Sequence, residues 1–185
     1  TIFDFPIPII SIPYVGKVLS DPFIGSIFLT FSMIIITNGM NLIDGSNGNS
    51  CISGLTILLV LCYLFKLTNN FIFMDLSIFF IIILFLFAIF NYPLGIIFLG
   101  DAGAYSIGFL IACLCIILFY TNPSLPSWTA VLILFYPAFE VLFSYTRKIF
   151  CKENPFLPDR GHLHILIFDY LVTKGCSIKK ANNSV

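Results

Sequence analysis

The chain has 185 residues, the length of one domain, with nine basic residues against nine acidic and no net charge. Hydrophobic residues make up 59% and charged residues only 10%, with a mean hydropathy of +1.04, whereas a soluble domain carries about 25% charged residues. That composition excludes a disordered chain, a nucleic-acid binder and an ordinary soluble enzyme. It leaves an all-α, multi-pass transmembrane helical protein, read here as a single membrane domain over residues 1–185.

In chain order, the first twenty residues are apolar but contain Pro6, Pro8 and Pro13. Proline breaks helices, so an extended or hairpin-like surface segment is expected. The segment opens with no initiator Met and no basic stretch, so it is read as the middle of a longer chain and not as a signal peptide. A helix needs about 20 apolar residues to cross a bilayer. About five spans meet that length or nearly so, near 22–40, 51–67, 71–91, 103–120 and 127–146, and the second ends with Lys66 reaching for the interface. Seven of the nine basic residues follow the fifth span: Arg147, Lys148, Lys152, Arg160, Lys174, Lys179 and Lys180. The positive side is assigned to the cytoplasm, so the loops 41–50 and 92–102 fall there too. The six cysteines lack zinc spacing and read as small apolar fillers.

Polar residues are rare in this chain, and they gather in three clusters on that one side. An ionisable residue beside the membrane core is costly and invites a functional reading. In Asn38-Gly39-Met40-Asn41-Leu42-Ile43-Asp44-Gly45-Ser46-Asn47-Gly48-Asn49, the residues Asn41, Asp44 and Asn47 recur every third position among glycines. The plain alternative is a helix C-cap and polar loop. In Phe98-Leu99-Gly100-Asp101-Ala102-Gly103, Asp101 stands where a helix begins. It fits an N-cap, or one of the one or two carboxylates that typically hold Mg2+ beside substrate phosphates. In Pro158-Asp159-Arg160-Gly161-His162-Leu163-His164, two histidines follow an arginine. Zinc would want a further ligand, and the set suits phosphate or sugar-hydroxyl recognition, or a solvated basic loop. Glu140, inside the fifth span, is read as an orienting, structural acid.

The clusters resemble the signature motifs of glycosyltransferase family 4, the polyprenyl-phosphate N-acetylhexosamine-1-phosphate transferases. Asn41 to Gly48 is similar to N-L-x-D-G-x-[DN]-G, Phe98 to Gly103 to F-[LM]-G-D-x-G, and Pro158 to His164 to P-D-R-x-H-[IL]-H. The family includes the undecaprenyl-phosphate GlcNAc-1-phosphate transferases and the phospho-MurNAc-pentapeptide translocases. The resemblance implies a transferase that moves a sugar 1-phosphate from a UDP-N-acetylhexosamine to polyprenyl (undecaprenyl) phosphate and releases UMP. It implies Mg2+, or Mn2+ in its place. It makes Asp101 and Asp44 catalytic, and Asp101 and Asn41 the metal ligands. Asn41, Asn47, Arg160, His162 and His164 become the substrate contacts.

The resemblance further implies a bacterial inner-membrane enzyme of cell-wall, O-antigen or lipopolysaccharide biosynthesis. Its site would lie on the cytoplasmic face, its partners would be lipid and the two substrates with no nucleic acid, and a homodimer is compatible with it. Three departures point towards the O-antigen-type branch: Asn47 for a common Asp, Ile165 for a common His and Ile96 for a common Lys. Family members have about ten spans and an early acidic pair that this sequence lacks. An inactive or split-gene remnant is therefore the competing expectation, and a transporter, whose site would sit near the bilayer midplane at broken helices, the weaker one.

Overall fold

The computed structural model describes residues 7–10, 14–45, 47–93, 95–150, 163–178 and 181. The described residues form eight helices and no strand: α1 Val15–Leu19, α2 Pro22–Leu42, α3 Asn49–Leu67, α4 Phe71–Asn91, α5 Gly100–Thr121, α6 Ser127–Ile133, α7 Phe135–Phe150 and α8 Leu163–Thr173. Four of them, α2 to α5, are long and apolar enough to cross a membrane, and α6 with α7 counts as a fifth if the two form one broken crossing. The chain is a multi-pass helical membrane protein. The four long helices exceed their expected spans by at most three residues at either end.

The start of α2 shows why the boundary falls where it does. Asp21 is extended, and its Oδ1 accepts the Phe23 and Ile24 N–H groups at 3.0 Å each. Pro22 fills the first helical position, where a missing N–H costs nothing. Just before it, Val15–Leu19 closes a short helix, so the expected extended segment is helical over those five residues. The prolines that motivated the expectation lie upstream of that turn and leave it free to form.

Helix α2 packs against α5 and α7, and α3 against α4 and α5. Lipid supplies no hydrophobic drive for helix association, so close packing through small residues must do so. A Cβ on Gly108 of α5 would stand 2.8 Å from the Thr37 Cα of α2, and one on Gly54 of α3 2.9 Å from a Leu84 methyl of α4. Leu58, Leu61, Phe65, Leu84, Ile111, Leu114 and Leu118 fill the centre, each at most 1% exposed. Helix α4 is the lipid-facing member, with a buried side only at Ser77, Leu84 and Asn91.

The fifth expected span is not one helix. It breaks at Leu134, and α6 and α7 meet at 73°. Pro137 causes the break: it has no N–H for the Ile133 carbonyl, and its ring would clash with that carbonyl in a continuous helix. In the first turn of a new helix the same proline is harmless. Helix α7 is polar on its bundle side, where Glu140, Ser144 and Lys148 are buried. Outside, Phe135, Phe139 and Phe143 stack in a row with ring centroids 5.4 and 5.7 Å apart.

Candidate active site

The turn between α2 and α3 and the loop between α4 and α5 meet at one end of the bundle. Asn41, in the last turn of α2, donates from Nδ2 to Asp101 Oδ1 at 3.0 Å. Asp101 lies in the first turn of α5. Asp44, in the turn after α2, lies near the Gly100 backbone N–H and the Ser50 side chain, and both favour its charged form. Ser50 is in the first turn of α3. Two helix N-termini, those of α3 and α5, therefore converge on Asp44, and their positive dipole ends favour negative charge there.

Burial opposes that charge more strongly. Together with the nearby Asp101 carboxylate, it pushes the Asp44 carboxyl up to about 6. An acid half removed from water beside a second acid holds its proton longer. A cation between the two would reverse the balance. Two carboxylates with an amide oxygen are hard oxygen donors of the kind that hold Mg2+ when substrate phosphates complete the shell. Among the described residues no group of three His, Cys, Asp or Glu side chains is placed to hold a metal by itself. The residues present fit that metal.

The remaining sequence-selected residues fall differently. Asn38 is turned back along its helix, its Nδ2 donating to the Ile34 carbonyl at 2.7 Å. Asn47 is buried, and its Nδ2 would stand 3.0 Å from a Cβ on Gly95. Its present surroundings are the neighbouring loop, not open space. Gly95 has φ +62, which glycine adopts without strain. Ile96, where a cation is common in the family, is largely exposed. Arg160 and His162 lie outside the described residues. His164 belongs to the first turn of α8, and its side chain is not described.

Two further contacts escape sequence reasoning. Asn49 Nδ2 donates to Tyr136 Oη at 3.1 Å, which ties the start of α7 to the α2–α3 turn. Nearby, Gly39 has no room for a Cβ beside the Pro137 carbonyl. The broken element thus meets the bundle next to the acids. The only sequence signal was Pro137 itself, the third residue of a polar-faced helix. The second contact set belongs to Asn91, which reads as an ordinary helix-end residue. Its side chain bonds both loops, accepting from Gly48 N–H and donating to the Ile97 carbonyl.

An all-helical membrane protein with two acids presented on adjoining loops defines the class. The family model described as Glycosyl transferase family 4 matches residues 1–119, and the chain belongs to that family. It is 28% identical over 138 residues to an undecaprenyl-phosphate alpha-N-acetylglucosaminyl 1-phosphate transferase of Thermotoga maritima, covering 75% of this chain and 41% of the relative. A probable undecaprenyl-phosphate N-acetylglucosaminyl 1-phosphate transferase of Bacillus subtilis is 30% identical over 132 residues, 70% of this chain and 36% of the relative. A putative UDP-N-acetylglucosamine–dolichyl-phosphate N-acetylglucosaminephosphotransferase of Sulfolobus acidocaldarius is 32% identical over 160 residues, 84% and 46%. The chain therefore spans less than half the length of the curated relatives it matches. No solved structure matches it.

Proposed function

We propose that this chain carries the metal and diphosphate part of a polyprenyl-phosphate N-acetylhexosamine-1-phosphate transferase. The observation that carries this reading is the meeting of two motifs: Asn41 is hydrogen-bonded to Asp101, and the Gly100 backbone N–H and the Asp101 carboxylate lie close enough to Asp44 to act on its charge. The donor is a UDP-N-acetylhexosamine, and the printed names of all three relatives favour N-acetylglucosamine. The acceptor is polyprenyl phosphate, undecaprenyl phosphate in a bacterium. An acceptor phosphate oxygen bonds to the sugar-bearing phosphorus of the donor, the P–O–P bridge breaks, and UMP leaves.

Asp101, with Asn41 beside it, would hold Mg2+ or Mn2+, and Asp44 completes the acidic side. When bound, the cation supplies charge neutralisation of the diphosphate and of the leaving UMP. The protein's own task is positioning: α2 and α5 fix Asn41 against Asp101, and α3 presents Ser50 to Asp44. Asn47, Arg160, His162 and His164 are assigned to the donor by the family motifs alone. A groove of about 450 Å3 between α2, α5, α6 and α7, lined by Phe28, Met33, Cys115, Phe119, Leu134 and Phe139 among others, offers an apolar seat for an isoprenoid chain. The basic residues in the last turn of α7 and beyond it favour a cytoplasmic face for the site, and the replacements Asn47, Ile96 and Ile165 favour the O-antigen-type branch.

The test is an exchange assay on the protein as its gene encodes it, in membranes. Labelled UMP should enter UDP-N-acetylglucosamine only when polyprenyl phosphate and Mg2+ are present. Absence of exchange with every UDP-N-acetylhexosamine tried would contradict the reading.

A further inference from the structure

We propose that Asn91 is a positioning residue that locks the Asp44 loop to the Asp101 loop at a fixed separation before any ligand arrives; this rests on the reading of those acids as one metal site. Asn91 is the last residue of α4 and is 4% exposed. Its Oδ1 accepts the Gly48 N–H at 2.7 Å, and its Nδ2 donates to the Ile97 carbonyl at 2.7 Å. The Cys51 thiol lies 3.8 Å from the same Oδ1. One amide therefore holds a backbone donor of one loop and a backbone acceptor of the other. Among the described residues, neither the Gly48 N–H nor the Ile97 carbonyl has a backbone hydrogen bond outside the helices.

The lock answers a problem in the site. Asp44 and Asp101 are two acids on adjoining loops, and two negative charges brought together repel each other. The side-chain bond from Asn41 to Asp101 is exposed to solvent, where such bonds are weak. The bond from Gly48 is buried and the bond to Ile97 partly so, so breaking them leaves backbone groups shielded from water and unpaired. Packing reinforces the arrangement. Gly48 has φ +83, and a Cβ there would meet the Tyr92 ring at 2.9–3.0 Å, so the α2–α3 turn lies flat on the residue that follows Asn91. The acids are held together by the protein, and the cation does not have to gather them.

The experiment compares Asn91→Ala with Leu84→Ala. Leu84 is on the same helix, 1% exposed and packed over Gly54, so its truncation destabilises the bundle without touching either loop. Two readouts are taken on protein in nanodiscs. The first is metal-free amide hydrogen exchange of residues 45–49 and 95–99; the second is the Mn2+ dissociation constant by electron paramagnetic resonance. Asn91→Ala should speed exchange in both loops about tenfold and weaken Mn2+ about tenfold, as loss of a supporting group commonly does. Leu84→Ala should change neither. Equal effects of the two variants, or unchanged loop exchange in Asn91→Ala, overturn the proposal. So does faster exchange with an unaltered Mn2+ constant. If the wild-type protein binds no Mn2+, the metal reading falls, and loop exchange alone decides the lock. Should neither variant fold, Asn91→Ser, which can make only part of the pair of bonds, takes the same two measurements with smaller shifts expected.

Discussion

The end of the bundle that carries Asn41, Asp44 and Asp101 and the groove between α2, α5, α6 and α7 are built on opposite principles. At the first, a few polar atoms are fixed by bonds of 2.7–3.0 Å, two of them between segments distant in sequence and one from the end of α4 into the loop after it. At the second, a groove of about 450 Å3 is lined by side chains that are nearly all apolar, with Ser32 and Ser127 the exceptions. Directional groups in a water-poor place specify one arrangement, because an unmet donor is expensive there. Apolar contacts specify a volume and tolerate exchange of one shape for another. A transferase of a soluble nucleotide-sugar onto a lipid has use for both, geometry for the phosphates and accommodating surface for the chain.

Substitutions should separate the two regions, beginning with the largest effect. Asp101→Asn keeps the size of the side chain and deletes a charge beside the diphosphate. UMP exchange should fall about 10²–10³-fold, the usual cost of one such electrostatic element; near-normal exchange would remove Asp101 from the chemistry. Gly39→Ala puts a methyl 2.2 Å from the Pro137 carbonyl oxygen. Overpacking of that kind typically costs about 1–3 kcal/mol, so a lower Tm is expected, with the α7 contact beside the site loosened.

Asp44 ties stability to function with opposite signs. Its carboxyl titrates near 6 in the folded protein against a reference of 3.8. A raised acid means the fold disfavours the ionised form. Folded-state stability is therefore lost as pH rises from about 4 to about 6, and stays lower above that. Asp44→Asn should raise Tm at pH 8 while weakening Mn2+ binding; a variant less stable at pH 8 would contradict the burial account. In the wild type, Mn2+ affinity should be flat above about pH 6 and fall by up to about tenfold per pH unit below it, since the cation must displace a proton. The variant should lose that slope.

The smallest effect belongs to the groove. Ala138 lines it, and Ala138→Val adds volume to a space that has room. Tm should stay close to wild type, the change being within about 0.5 kcal/mol. The KM for polyprenyl phosphate should rise while the KM for the UDP-sugar does not. A rise in both would mean the groove and the acids are not separate regions.

Much of the site was legible because its residues are rare in so apolar a chain. Asn41, Asp44 and Asp101 stood out against it, and the loops that hold them lie at one end, as the span count required. The span boundaries were legible from length and hydropathy, which lipid enforces. Three features were not. Pro137 was visible, but a single proline in an apolar run does not say whether a helix bends or ends. Here the answer depends on Gly39 and Tyr136 finding partners across the bundle. Asn91 looks like any helix terminus until Gly48 and Ile97, about 40 and 6 positions away, are placed on its two amide atoms. The burial of Asn47 against Gly95 likewise comes from tertiary contact between loops, which motif spacing does not encode. Arg160 and His162 lie outside the described residues, so their role stays with the motif.

The central claim is that Asp44 and Asp101, 57 positions apart in the chain, serve one site. A double-mutant cycle on Mn2+ affinity tests it most directly, using wild type, Asp44→Asn, Asp101→Asn and the double variant in nanodiscs. A shared ion predicts strong coupling: each single change weakens Mn2+, and the double change costs clearly less than the product of the two. Independent, multiplicative effects, or a single change at Asp44 that leaves the affinity untouched, would contradict it.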